Sequence, residues 1–300
     1  MSHLRAVSLM VLVTLLWSTA GVVSRHLDAA QGFEVTFWRS AFNALALAVA
    51  LTVLRGPALW RGLLRSPRAV WVSGVCWAVM FTAFMVALTM TRVANVLVTM
   101  AIGPLVTALF ARLFLHHRLP ARTWLAIAMA GAGIAWMFGH EVQAADARSL
   151  LGMAVALAVP LAAAINFTVL QHISHGEADG ESQDMLPAVL IGALLSALCT
   201  LPLSWPLQAS AHDLALLAGL GVFQLALPCL LVVGLARVLP APEIALLGLL
   251  EVVFGVLLAW VGAGEAPGST ALTGGMLVLG ALLANELVAL RDKAVPGRPD

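Results

Sequence analysis

Two ionised residues lie deep inside long apolar runs of this chain, Arg39 and Glu251, and both are costly in lipid. A charge at membrane depth costs about 2.5–3.5 kcal/mol on insertion scales, so it faces protein, a partner or water. Arg39 has Asn43 one helical turn away on the same face. A planar guanidinium matches a carboxylate through two parallel hydrogen bonds. Arg39 is therefore a candidate to hold a substrate carboxylate or to line the path to it. The structural alternative is snorkelling, or pairing with an acid or a backbone carbonyl. Glu251 shares its face with Gly248 and Gly255, small residues that let a second helix approach. Its carboxyl could carry a proton, a substrate ammonium, or each in turn. The alternative is a residue that fixes helix packing, either neutral or ion-paired, with Arg39 as a candidate partner.

Uncharged groups extend this set. Thr14, Ser18 and Gly21 form a stripe with Trp17 beside it, Thr91, Asn95 and Thr99 recur at helical spacing, and Asn166 and Gln224 lie in later runs. Amides and hydroxyls in lipid face other helices or a wet cavity. Trp77, Phe81 and Phe84 follow i, i+4, i+7 with Met80 among them, which suits either an aromatic wall for apolar ligand groups or simple packing. The candidate substrate-binding residues are thus Trp17, Ser18, Arg39, Asn43, Trp77, Met80, Phe81, Phe84, Asn95, Asn166, Gln224 and Glu251. Gly103-Pro104 is a candidate hinge, because proline removes one backbone hydrogen bond and crowds the carbonyl of Met100. Pro160 and Pro228 could act in the same way.

These residues need helices to hold them. The 300 residues are 61% hydrophobic and 10% charged, with mean hydropathy +0.98, whereas soluble domains carry about 25% charged residues. Apolar segments fall at roughly 7–24, 34–54, 70–90, 93–115, 122–138, 149–170, 186–206, 213–235, 241–261 and 270–290, each near the ~20 residues a spanning helix needs. They are twice the length of barrel strands, so the expected class is an all-α membrane protein of ten transmembrane helices. The first run is long enough to span and has no clear cleavage site, so it is expected to be retained rather than removed as a signal peptide. With the N-terminus inside, twelve Lys and Arg lie on the cytoplasmic side and three outside, Arg39 being within a span. Both termini are then cytoplasmic. Cys76, Cys199 and Cys229 lie in apolar runs and read as packing residues, with no disulfide or metal set. No basic patch points to nucleic acid, and no cofactor motif is present.

The chain also repeats itself. A shift of 148 positions lays Trp17-Ser18 on Ile165-Asn166, Ala94 on Pro242 and His117 on Glu265. Two copies, 1–148 and 149–300, hold five spans each, and an odd number of crossings inverts the second copy. Inverted repeats place a substrate site near the midplane and open it to each side in turn. Trp17-Ser18, Phe37-x-Arg39, Pro104, Leu113 to Arg118, Glu251 and Gly264-Glu265, in that order, resemble the EamA branch of the drug/metabolite transporter superfamily. His117 stands where that family usually has Glu in the first copy, and Glu251-Val252 stands where it often has Glu-Pro. The resemblance implies ten helices, cytoplasmic termini, a central cavity walled by helices 1–4 and 6–9, and export of small metabolites. Within the family the chain looks most similar to YddG-type amino-acid exporters.

The expected function is therefore secondary transport, with a small-molecule substrate such as an amino acid, and the bilayer, as its partners. Oligomeric state is left open. An intramembrane enzyme would need a catalytic constellation, yet His140-Glu141 lacks the second His of a zinc protease motif and no G-x-S-x-G occurs. No Walker-type loop supports ATP hydrolysis. A channel would need a charged ring or a filter loop, and neither is present.

Overall fold

Backbone groups in lipid must be satisfied within the chain, so apolar runs of this length become helices. A computed structural model describes residues 1–63, 65–91, 93–114, 120–143, 146–176 and 184–264, with six further positions between 273 and 284. Its helices are α1 (His3–Ser24), α2 (Phe33–Arg55), α3 (Ala58–Leu63), α4 (Arg68–Met90), α5 (Val93–Met100), α6 (Gly103–Phe114), α7 (Ala121–Gln143), α8 (Ala147–Ala156), α9 (Ala158–Gly176), α10 (Leu186–Thr200), α11 (Ala211–Gly219), α12 (Leu227–Leu235), α13 (Ala241–Gly248) and α14 (Leu250–Ala263). A π-helical stretch, Leu220–Ala226, joins α11 to α12. Seven stretches of the described residues are long and apolar enough to cross a membrane: 3–24, 33–55, 68–90, 147–173, 186–203, 211–235 and 241–263. The protein is an all-helical, multi-pass membrane protein. Most of the segment predicted at 270–290 lies outside the described residues, as do His116, His117, Arg118 and Glu265.

Several predicted continuous spans are interrupted. The fourth is two helices, α5 and α6, separated by a turn at Ala101-Ile102. Pro104 follows that turn and has no N–H for the carbonyl of Met100. The sixth breaks at Leu157, three residues before Pro160, and the ninth at Leu249. The eighth stays helical but widens into the π-helical stretch just ahead of Pro228, a common way to absorb a missing donor. Ala101 and Leu249 stand 148 positions apart, the offset of the internal repeat.

Lipid offers no hydrophobic drive for helices to associate, so close backbone approach and interhelical hydrogen bonds hold the bundle. A Cβ on Gly221 would lie 2.7 Å from Asn43 N and 2.8 Å from Arg39 O, so the π-helical stretch rests directly on the α2 backbone. A Cβ on Gly74 would meet Ile191 Cγ2 at 2.6 Å, which marks an equally tight crossing of α4 and α10. Beside it Ser196 Oγ joins Ser40 Oγ and Thr82 Oγ1, each at 2.8 Å, linking α10 to α2 and α4.

Helix ends are tied across the chain on both faces. At the face holding the N-terminus, His3 Nε2 meets Glu243 Oε1 at 2.6 Å, Arg55 Nε donates to Asp184 Oδ2 at 2.8 Å, and Ala241 N–H donates to Gln171 Oε1 at 2.8 Å. At the opposite face the Asp213 carboxylate accepts from the N–H groups of Asp28 (2.7 Å), Ala29 (3.0 Å), Ala30 (2.9 Å) and Ser210 (3.1 Å). Glu34 Oε1 accepts from Gln208 N–H and Ala209 N–H, both at 2.8 Å. The last turn of α14 closes on Gly264, whose φ of +71° is left-handed and whose N–H reaches Trp260 O at 3.1 Å.

Candidate functional site

The interruptions converge on one place. Gly103 and Pro104 from the α5–α6 break, Val159 and Pro160 from the α8–α9 break, Gly248 and Leu249 from the α13–α14 break, and Gln224 from the π-helical stretch all line a cavity of about 140 Å³. Non-helical backbone at membrane depth is tolerated where it borders a cavity and not lipid. An apolar void of this order admits a benzene-sized molecule.

The wall is mostly apolar. Trp77, Met80, Phe81 and Phe84 of α4 face it as the i, i+4, i+7 spacing predicts, and Trp17 comes from α1. Trp77 and Phe81 are stacked, with ring centroids 5.6 Å apart and planes inclined at 30°. Stacked aromatics of this kind present flat, rigid contact area at little entropic cost.

Charge enters at two points. Arg39 of α2 is 1% exposed and lines the cavity, its Cζ lying 5.8 Å from the Phe84 ring centroid in cation–π range. Its Nε and Nη1 have no hydrogen-bond partner among the described residues. A buried guanidinium with such free donors favours an incoming acceptor, because each unmet donor carries a desolvation penalty. Glu251 also lines the cavity, from the first turn of α14 just after the break. Its carboxylate takes no hydrogen bond from a described residue, and it shares the cavity wall with Arg39. Gln224 Nε2 donates to Trp17 O at 3.3 Å, fastening the π-helical stretch to α1.

Four sequence candidates lie away from the cavity wall. Ser18 donates to Thr14 O at 2.6 Å and to Glu251 O at 3.3 Å, which makes it a tie between α1 and α14. Asn95 Nδ2 donates to Thr91 Oγ1 at 2.9 Å within one turn. Asn166 Oδ1 accepts from Ser73 Oγ at 2.6 Å and joins α9 to α4. Asn43 is fully buried, with neither amide atom hydrogen-bonded, against the Gly221 crossing. Polar type alone does not set the direction a side chain points: Ser18, Asn43 and Asn166 lie at helix crossings, and Asn95 bonds within its own turn. The sequence reading also missed contributors with no chemical signature, among them Phe167, Thr107 and Cys229. Glu34 and Asp213 were missed for another reason: their partners are backbone N–H groups, which carry no residue-type signal.

Comparison with known proteins agrees with this architecture. A crystal structure of a protein whose description gives no activity superposes with a TM-score of 0.76 at 21% identity, over 97% of this chain and 99% of that one. The likeness shows a shared fold. A Pseudomonas aeruginosa protein described as an uncharacterized transporter is 27% identical over 130 residues, 41% of this chain and 44% of that protein. The matched stretch thus spans less than half of that relative. The model of the EamA-like transporter family matches twice, over residues 4–139 and 150–285. The chain belongs to the EamA-like transporter family.

Proposed function

We propose that the protein is a secondary transporter that exports amino acids or similar small metabolites across the inner or plasma membrane by alternating access at this cavity. Ten helices form two inverted five-helix repeats, 1–148 and 149–300, with both termini in the cytoplasm. In support, the first helix of each copy starts at a different face: His3 of α1 meets Glu243 at one, and Arg148 of α8 reaches Thr89 O at the other, at 3.2 Å. The Lys and Arg bias of the loops supports the cytoplasmic assignment.

The observation that carries the proposal is Arg39: a guanidinium 1% exposed, with two nitrogens unpartnered among the described residues, at the wall of a largely apolar cavity built by both copies. A substrate carboxylate accepts from those Arg39 nitrogens, its ammonium turns to Glu251, and its side chain lies against Trp17, Trp77, Phe81 and Phe84. Gly103 and Pro104 serve as a hinge where α5 meets α6. Counterflow into proteoliposomes with a panel of labelled amino acids tests this. The proposal expects accumulation of at least one of them. Uptake of none overturns the amino-acid assignment and leaves another small metabolite as the cargo.

A further inference from the structure

The cavity holds almost no charge besides the two residues just described. Among the described residues the titratable groups at its wall are Arg39 from α2, Cys229 from α12 and Glu251 from α14. Among the described residues the helices packed on α14 bring no other: α1 faces it with Ser18 and Val22, and α5 with Leu97. Charged groups elsewhere on the surrounding helices sit near their ends, as with His3 and Arg5 on α1, Glu34 and Arg55 on α2, Arg68 on α4, Arg112 on α6, and Glu243 on α13, which is held by His3. Neither Arg39 nor Glu251 has another counter-charge at the wall. A buried charge without a counter-charge is strongly disfavoured, because its desolvation goes uncompensated.

Resting on the proposal that a substrate carboxylate docks at Arg39, we infer that the site conserves charge: Glu251 balances Arg39 while the cavity is empty, and a carboxylate that takes over Arg39 either brings a positive charge to Glu251 or is followed there by a proton. A zwitterion brings its own ammonium and loads without a proton. The same molecule lacking the amine draws one proton from solution onto a Glu251 carboxylate oxygen at loading. The proton returns to solution when the anion leaves. Glu251 thereby sets both selectivity and coupling, and the protein moves zwitterions without protons and plain carboxylates with one proton each.

Calorimetric titration of the full chain in nanodiscs, run in two buffers of different ionisation enthalpy, counts protons taken up per ligand bound. The probes are L-leucine and L-phenylalanine against their amine-free partners, 4-methylpentanoate and 3-phenylpropionate. The expected counts are near zero for the amino acids and near one for the carboxylates. In Glu251→Gln, which keeps the shape and removes the charge, carboxylates bind at least as tightly with no proton uptake, while amino acids bind at least tenfold more weakly. Equal proton counts for the two members of a pair, in wild-type protein that binds both, overturn the inference and leave the proposed function standing. Should Glu251→Gln fail to fold, the wild-type pairs decide alone. If folded wild-type protein binds none of the four, the amino-acid assignment falls and this inference with it.

Discussion

Asp213 shows how much a single carboxylate holds together in this protein. It is fully buried and satisfies four backbone N–H groups, three of them in the loop joining α1 to α2. Replacing it by alanine leaves those donors without an acceptor, at about 1–3 kcal/mol for each that water cannot reach. Asp213→Ala should lower the thermal midpoint of the purified protein by several degrees, read by a tryptophan-fluorescence melt, and an unchanged midpoint would contradict the tie. The sequence carries the spacing of the capping box that Ser210 and Asp213 form at the start of α11, but that spacing was not drawn on and does not reach the other donors. It could not announce the loop that Asp213 grips. Arg39 and Glu251 were legible for a simple reason: a charge inside an apolar run has few places to go. Asn43, Asn95, Asn166 and Ser18 were singled out on the same logic, but amides and hydroxyls are cheap enough to bury between helices.

At the scale of elements, the site is made by interruptions. Pro104 and Pro160 advertise two of them, and Pro228 marks the end of the π-helical stretch. The break at Leu249 has no proline: there Leu249 N–H and Val252 N–H each reach three residues back, to Leu246 O and Leu249 O. Such a tightening leaves no trace in residue types, so it could be read only from the position of its counterpart, 148 residues earlier. The crossing at Gly221 makes a sharper prediction. A methyl group there would press on Asn43 N and Arg39 O, which are backbone atoms that cannot swing aside. Overpacking of this kind typically costs about 1–3 kcal/mol. Gly221→Ala should therefore both destabilise the fold and displace Arg39, giving a fall in transport larger than the fall in folded protein. Substitution at Gly131, where no described residue lies within 4 Å of an added Cβ, should leave both unchanged. Equal behaviour of the two variants in transport assays normalised for folded protein would refute the argument.

The whole molecule is two family repeats that both line one cavity. Hydropathy and the 148-residue register made the repeated, multi-pass plan readable, because lipid restricts backbone to helices. The pairing of helices across the copies was not readable, since it depends on small residues such as Gly74 and Gly221 that occur throughout the chain. The proposed orientation predicts that single cysteines at Ser2 and Ser66, with Cys76, Cys199 and Cys229 replaced, label from the cytoplasmic side. Cysteines at His26 and Gln208 should label from outside. Ser66 and Gln208, in corresponding loops of the two copies, labelling from the same side would break the inverted arrangement.

The central claim is that Arg39 holds the cargo. Its most direct test is counterflow of a transported amino acid in proteoliposomes holding equal amounts of folded wild type or Arg39→Gln. Loss of the guanidinium is predicted to cut the rate at least tenfold, in keeping with about 1.5–3 kcal/mol for a hydrogen bond to a charged group. Wild-type counterflow by folded Arg39→Gln would contradict the account.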